Sequence, residues 1–254
     1  RFRRWVAIEQ DQVVGMGYGL ILRDNLANRR AAEKAGYEAY EGPRIEYLFT
    51  FRKMPVESAT KRVRTMSPGD AGTVCDLLNA MWMGHDLYEP VTEEKLLSDI
   101  KRVPGLDLAN VLVVEENGRV VACASYWDWS EITKVTVKSW NTRIKMTSIA
   151  LDIARTFRDL PVLTRPGDTL RQWCLIHFAF SSIEDFAMLL RYINNLAVDS
   201  GIDQLCFVCS KEHKAVRELK GFLRLGFNSM MYVKTFDGGM NLGDAELWIS
   251  GVSL

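Results

Sequence analysis

Apolar positions along the chain alternate at period two in some stretches and recur every three to four residues in others. The switches mark the elements. Arg4 to Gln10 alternates as a strand, Asp11-Gln12 forms a polar turn, and Val13 to Gly19 continues as a second strand, which together predict a hairpin. Leu20 to Leu22 runs into Asp24-Asn25, a helix N-cap pair. The alanine-rich helix that follows reaches about Ala35 and stops at Gly36, a residue suited to a left-handed C-cap. Ile45 to Arg52 alternates as a strand, and Pro55 to Thr60 is short and polar, as a linker is. Beyond it, Val63 to Met66 predicts a short strand, Ser67-Pro68-Gly69-Asp70 a helix start, and Ala71 to Met83 the helix itself. Thr92 opens a further helix over Glu93 to Lys101. Asn110 to Glu115 and Arg119 to Trp127 are strands around Asn117-Gly118, the strongest short hairpin signal. Ser139 to Arg158 carries a helical period. Gln172 to Phe180 is a strongly apolar strand. Ser181-Ser182-Ile183-Glu184 resembles a capping box before a helix over Ile183 to Asp199 that ends at Gly201. Gln204 to Cys209 reads as a strand, Lys214 to Leu225 as a helix with Gly226 as its stop, and Asn228 to Thr235 as the closing strand.

Composition narrows the function classes. The 254 residues are 48% hydrophobic and 25% charged, as in an ordinary globular protein of one large or two modest domains. The 32 basic and 32 acidic residues cancel, so the chain has no electrostatic footprint for nucleic acid or an anionic membrane. Five cysteines in a chain of this length do not make a disulfide framework, and all sit in apolar contexts. Cys206-Phe207-Val208-Cys209 has metal or redox spacing. It lies inside an apolar strand and no second pair completes a zinc site, so no metal is expected. No run reaches the ~18–20 apolar residues of a membrane span. A signal-peptide pattern is also missing, which makes the cytoplasm the expected location.

The most specific stretch is Asp24-Asn25-Leu26-Ala27-Asn28-Arg29-Arg30-Ala31-Ala32-Glu33-Lys34-Ala35-Gly36-Tyr37. It resembles the last helix of the GCN5-related N-acetyltransferases, whose form in the ribosomal-protein and antibiotic acetyltransferase branch reads roughly N-L-A-S-R-R-x-A-E-K-x-G-F. From Val63 onward, the order of elements also resembles that fold. The resemblance implies an α/β protein of two tandem acetyltransferase-like domains, over residues 1–56 and 61–254. Each would have a mixed, mostly antiparallel sheet flanked by helices, the first domain incomplete and the second degenerate. The activity implied is transfer of an acetyl group from acetyl-coenzyme A, without a metal, to an amine of a small molecule or peptide in a ternary complex. A non-catalytic binding or dimerising scaffold, working as a homodimer, is the alternative.

The family holds the coenzyme A pyrophosphate on a glycine loop at the N-terminus of its third helix, where free N–H groups and the helix dipole attract anions. In the second unit that loop falls at Phe178 to Ala187. These residues contain no glycine, and Glu184 and Asp185 place negative charge there. In the first unit the loop is absent, because the few residues between Gly19 and Asp24 cannot hold a strand, a loop and a helix of ~10–12 residues. The expectation is that residues of the first domain lie outside this sequence, with the join near Tyr18 to Leu20.

The resemblance also nominates site residues. Asn25 is either a pantetheine ligand or an ordinary N-cap. Asn28 and Arg29, with Arg30, face the cofactor phosphates or form a solvated helix face. Ala32 stands where many relatives carry a tyrosine acid. His177 lies mid-strand where relatives can carry a general base, and a satisfied core histidine is the competing reading. His85 and Tyr88 sit in the segment that lines the acceptor pocket in this fold. Trp127, with Asp128 and Trp129, either shapes that pocket or packs in the core. His213 is expected to be an exposed turn residue.

Overall fold

A computed structural model describes residues 8, 9, 12, 13, 16–56, 58–85 and 88–235. Strands β1 (Ile8–Glu9) and β2 (Gln12–Val13) pair antiparallel, with Gln12 in the ladder rather than in the turn predicted at Asp11-Gln12, while residues 1–7, 10 and 11 lie outside the described residues. Strand β3 (Met16–Leu22) leads into helix α1 (Leu26–Lys34), and β4 (Glu38–Phe49) returns from it. Then follow β5 (Lys61–Thr65), α2 (Ala71–Trp82), α3 (Glu93–Arg102), β6 (Val111–Glu116) and β7 (Arg119–Asp128). A small insert carries β8 (Val135–Thr136), α4 (Thr142–Ala154) and β9 (Thr169–Leu170). The chain continues through β10 (Gln172–Phe180), α5 (Ile183–Asp199), β11 (Gln204–Cys209), α6 (Lys214–Arg217) and β12 (Arg224–Thr235).

Eight of these strands form one mixed sheet in the order β3-β12-β4-β11-β10-β7-β6-β5. Only β10 and β11 run parallel, and every other neighbouring pair is antiparallel. The strands from residues 16–49 therefore share a sheet with those from residues 61–235, with β4 seated between β11 and β12. The β6–β7 hairpin turns on Asn117 and Gly118, both at positive φ (49° and 79°). A two-residue turn matching the strand twist requires this backbone.

Successive residues of β6, Val113 and Val114, are both fully buried although they point to opposite faces, so both faces of the sheet are covered there. Helices α2 and α5 both pack on β7 and β10 and supply that cover. At the β12 end the cover is thinner, and Leu223, Leu225 and Phe227 stay exposed. The helix predicted for Lys214 to Leu225 is only four residues long. It ends at Arg217 with Glu218 as its C-cap, and Gly221 beyond it takes a positive φ (89°) unsuited to continuing a helix. Residues 224–228 are drawn into the sheet by pairing with Arg44 to Leu48.

Candidate functional site

The sheet forks between its two parallel strands. β10 and β11 pair only from Gln172–Gln204 to Cys174–Cys206, after which β10 runs on to Phe180 and β11 to Cys209 without a shared ladder. A bulge on β10 drives the divergence. Its pairing with β7 shifts between Ile176 and Ala179, leaving His177 and Phe178 without cross-strand partners. His177 takes a left-handed backbone (φ 49°), uncommon for a residue with a side chain. Burial pushes its imidazole down to about 4, so the ring is neutral at physiological pH. Its Nδ1 lies 3.5 Å from Ser125 Oγ, and its carbonyl accepts from the Cys123 thiol.

Aromatic rings fill the fork. Phe178 on β10 meets Phe207 on β11 edge-on at 5.7 Å. Phe186 of α5 stacks on Phe178 at 5.3 Å and on Phe180 at 4.7 Å. Trp82 of α2 donates its indole N–H to the Phe178 carbonyl at 2.9 Å. His213 is not an exposed turn residue: its ring stacks on Trp82 at 4.9 Å, and its Nδ1 accepts the Ala215 N–H to cap α6.

The N-terminus of α5 is occupied as well. Ser182 Oγ accepts the Asp185 N–H and donates to the Asp185 carboxylate (2.6 Å), while Lys61 Nζ binds that carboxylate from the far edge of the sheet at 2.6 Å. The Asp185 side chain is only 4% exposed. An internal carboxylate, already matched to the helix dipole and a lysine, sits where a phosphate would go.

The other nominated residues fall in three places. His85 Nδ1 sits 3.0 Å from the Trp82 carbonyl, and its ring meets the Trp82 ring edge-on. Tyr88 donates to Asn79 Oδ1 at 2.7 Å, bracing the segment before α3, and burial pushes its phenol up to about 12. Asp86 and Leu87 between them lie outside the described residues. Trp127 is buried and donates to the Pro104 carbonyl. Asn25 caps α1 by accepting the Asn28 N–H. Arg29 is anchored, with Nε donating to the Tyr232 hydroxyl (3.1 Å) and Nη1 to the Arg23 carbonyl, while the Tyr232 hydroxyl donates onward to Glu33. Asn28 and Arg30 are exposed, Ala32 is fully buried, and the first turn of α1 has no acidic residue.

A cleft of about 560 Å³ opens beside the end of β4 and the start of β12, lined by Phe49, Phe51, Arg52, Arg158, Phe222 and Leu223. Phe49 is the register partner of Gln204, so the cleft is level with the paired end of the fork.

No family model and no curated protein matches the sequence. Among solved structures, the chain is similar to a GCN5-related N-acetyltransferase from Sphaerobacter thermophilus, with a TM-score of 0.55 and 12% identity over 89% of this chain and 62% of that one. It also aligns with a Saccharomyces cerevisiae N-myristoyltransferase with bound myristoyl-CoA, at a TM-score of 0.47 and 11% identity over 90% of this chain and 65% of that one. The chain thus spans less than two thirds of the length of either structure. With its single forked parallel pair in a mostly antiparallel sheet, the chain has the fold of a GCN5-related N-acetyltransferase.

Proposed function

We propose that this chain is part of an acyl-CoA-dependent N-acyltransferase that acetylates an amine of a small molecule or peptide, and that acetyl-coenzyme A lies along the outer edge of β3, against Asn25 and α1. One observation carries this reading. Among the described residues β3 is the last strand of the sheet, so one row of its backbone groups faces outward there, and it leads directly into α1, whose first turn has no acidic residue and is followed by Arg29 and Arg30. An open strand edge accepts an amide-bearing arm as it would another strand. A first turn free of carboxylates leaves the helix dipole more available to phosphate, although Asp24 stands just before the cap. The amine attacks the thioester carbonyl, and N–H groups of the edge strand stabilise the oxyanion. The cleft at Phe49 and Arg52 suits the body of the acceptor.

A non-catalytic scaffold is the second reading, favoured by the filled fork and the Asp185–Lys61 pair. Thermal unfolding with acetyl-coenzyme A separates the two. A ligand at a hundred times its Kd stabilises by ~2.7 kcal/mol, which is roughly 5–10 °C for a chain of this size. Asn25→Ala should reduce that shift. No shift at millimolar ligand refutes the cofactor site and leaves the scaffold.

A further inference from the structure

We infer that Cys174 and Cys206 are an oxidisable pair, and that a disulfide between them staples the sheet at the root of its fork. The two residues are direct register partners on the parallel strands β10 and β11, and theirs is the last matched step before the strands part. Neighbouring strands lie ~4.8 Å apart, inside the Cα window of ~4.4–6.8 Å that a disulfide accepts. As register partners they project from the same face of the sheet. Their sulfurs are 3.0 Å apart, closer than two sulfur atoms at ordinary contact, and both thiols are free. Gln172 Nε2 donates to the Cys206 sulfur at 3.6 Å and fixes its position. Cys209, also on β11, pairs in register with Arg44 of β4.

Burial decides which oxidant reaches the pair. Cys174 and Cys206 are 3% and 5% exposed, and the Cys174 thiol is raised well above its ordinary value, chiefly through its bond to Cys206. Thiolate is therefore scarce, and oxidation is slow with a small oxidant and slower still with a bulky one. With hydrogen peroxide, one thiolate attacks a peroxide oxygen to give a sulfenic acid and release hydroxide. The second thiol attacks the sulfenic sulfur, forms the S–S bond and releases water. Overall, two thiols and one peroxide become one disulfide and two waters. The bridge closes a loop that contains α5 and holds β10 against β11 where they would otherwise separate.

Hydrogen peroxide treatment of the folded chain, followed by intact mass and peptide mapping, tests this. The expected result is a loss of two mass units, reversed by dithiothreitol, and a rise in Tm of about 5 °C or more from the closed loop. Trypsin leaves Cys206 and Cys209 in one peptide, so Cys209→Ala keeps the assignment clean and should still lose two mass units. Cys174→Ala and Cys206→Ala should not. Retention of all five thiols, a bridge mapped to Cys206 and Cys209, or oxidation to a sulfinic acid without a bridge each overturns the inference. Mapping the unsubstituted chain with chymotrypsin, which cuts after Phe207 and so separates Cys206 from Cys209, decides the question even where a variant fails to fold.

Discussion

His177→Asn tests whether the bulge on β10 holds a neutral imidazole. Burial takes the imidazole from its ordinary value of 6.5 to about 4, with Asp99 opposing the shift weakly. A group depressed in the folded state binds more protons when unfolded, so stability is lost as pH falls from 6.5 toward 4. Treating the two values as a linked titration, the folded chain should lose about 2.5 kcal/mol between about pH 7.5 and about pH 4.5 through this residue alone. Asparagine does not titrate there and tolerates the left-handed backbone that His177 adopts, so the variant should fold. The assay is urea unfolding of both proteins across that pH range. His85 and His213, the other two histidines, contribute equally to both curves. The stability difference between the two proteins should shift by about 2.5 kcal/mol over the range, in favour of the variant at low pH. Parallel curves would show that His177 reaches solvent or keeps its proton, and would refute the buried neutral ring.

Asp70 is held well below the usual carboxylate range by the paired hydrogen bonds of Arg64 (2.7 and 2.8 Å) and by Ser67. Its contribution is present above about pH 4 and lost below it. Asp70→Asn should cost ~1–3 kcal/mol at neutral pH and show a shallower acid loss than the unsubstituted chain by urea unfolding. Phe207→Ala removes a ring 1% exposed at the centre of the fork, and calorimetry should record a loss of ~3–5 kcal/mol. Coenzyme A should not bind the opened fork, because Asp185 still holds the helix start. Gly118→Ala adds a methyl group with no atom within 4 Å, at φ 79°. Its cost of ~1–2 kcal/mol should therefore be purely conformational.

Local signals were legible where they were strong. The apolar run and its capping box predict Gln172 to Phe180 and Ile183 to Asp199, and β10 and α5 have those bounds. Asn117-Gly118 predicts its hairpin because both residues tolerate the positive φ that this two-residue turn adopts. The helix expected from Lys214 fails because β4 offers Arg224 to Asn228 a ladder that local periodicity does not register. The filled fork was half visible. The missing glycine at Phe178 to Ala187 signals an altered phosphate loop, but Phe178, Phe186 and Phe207 stand on three separate elements, and only the fold brings them together. Lys61 and Asp185 are 124 residues apart, and the left-handed His177 has no sequence signature at all.

The two helix starts behave oppositely, and electrostatics explains why only one suits a phosphate. A sheet that forks leaves a wedge which close packing requires to be filled, by a ligand or by side chains. At β10 and β11 the filling is aromatic, and the α5 dipole is satisfied by Glu184 and Asp185 in its first turn. Each change reinforces the other. A wedge without pantetheine leaves no phosphate for the helix to hold, and an unopposed helix start is better stabilised by its own carboxylates. At α1 both conditions reverse. Its first turn lacks acid, its cap is the neutral Asn25, and the strand feeding it keeps an outward edge. Arg29 and Glu33 share Tyr232, which ties α1 to β12. On the proposed reading, the same electrostatics that places Asp185 at the start of α5 makes β3 and α1 the part of this chain we propose for coenzyme A.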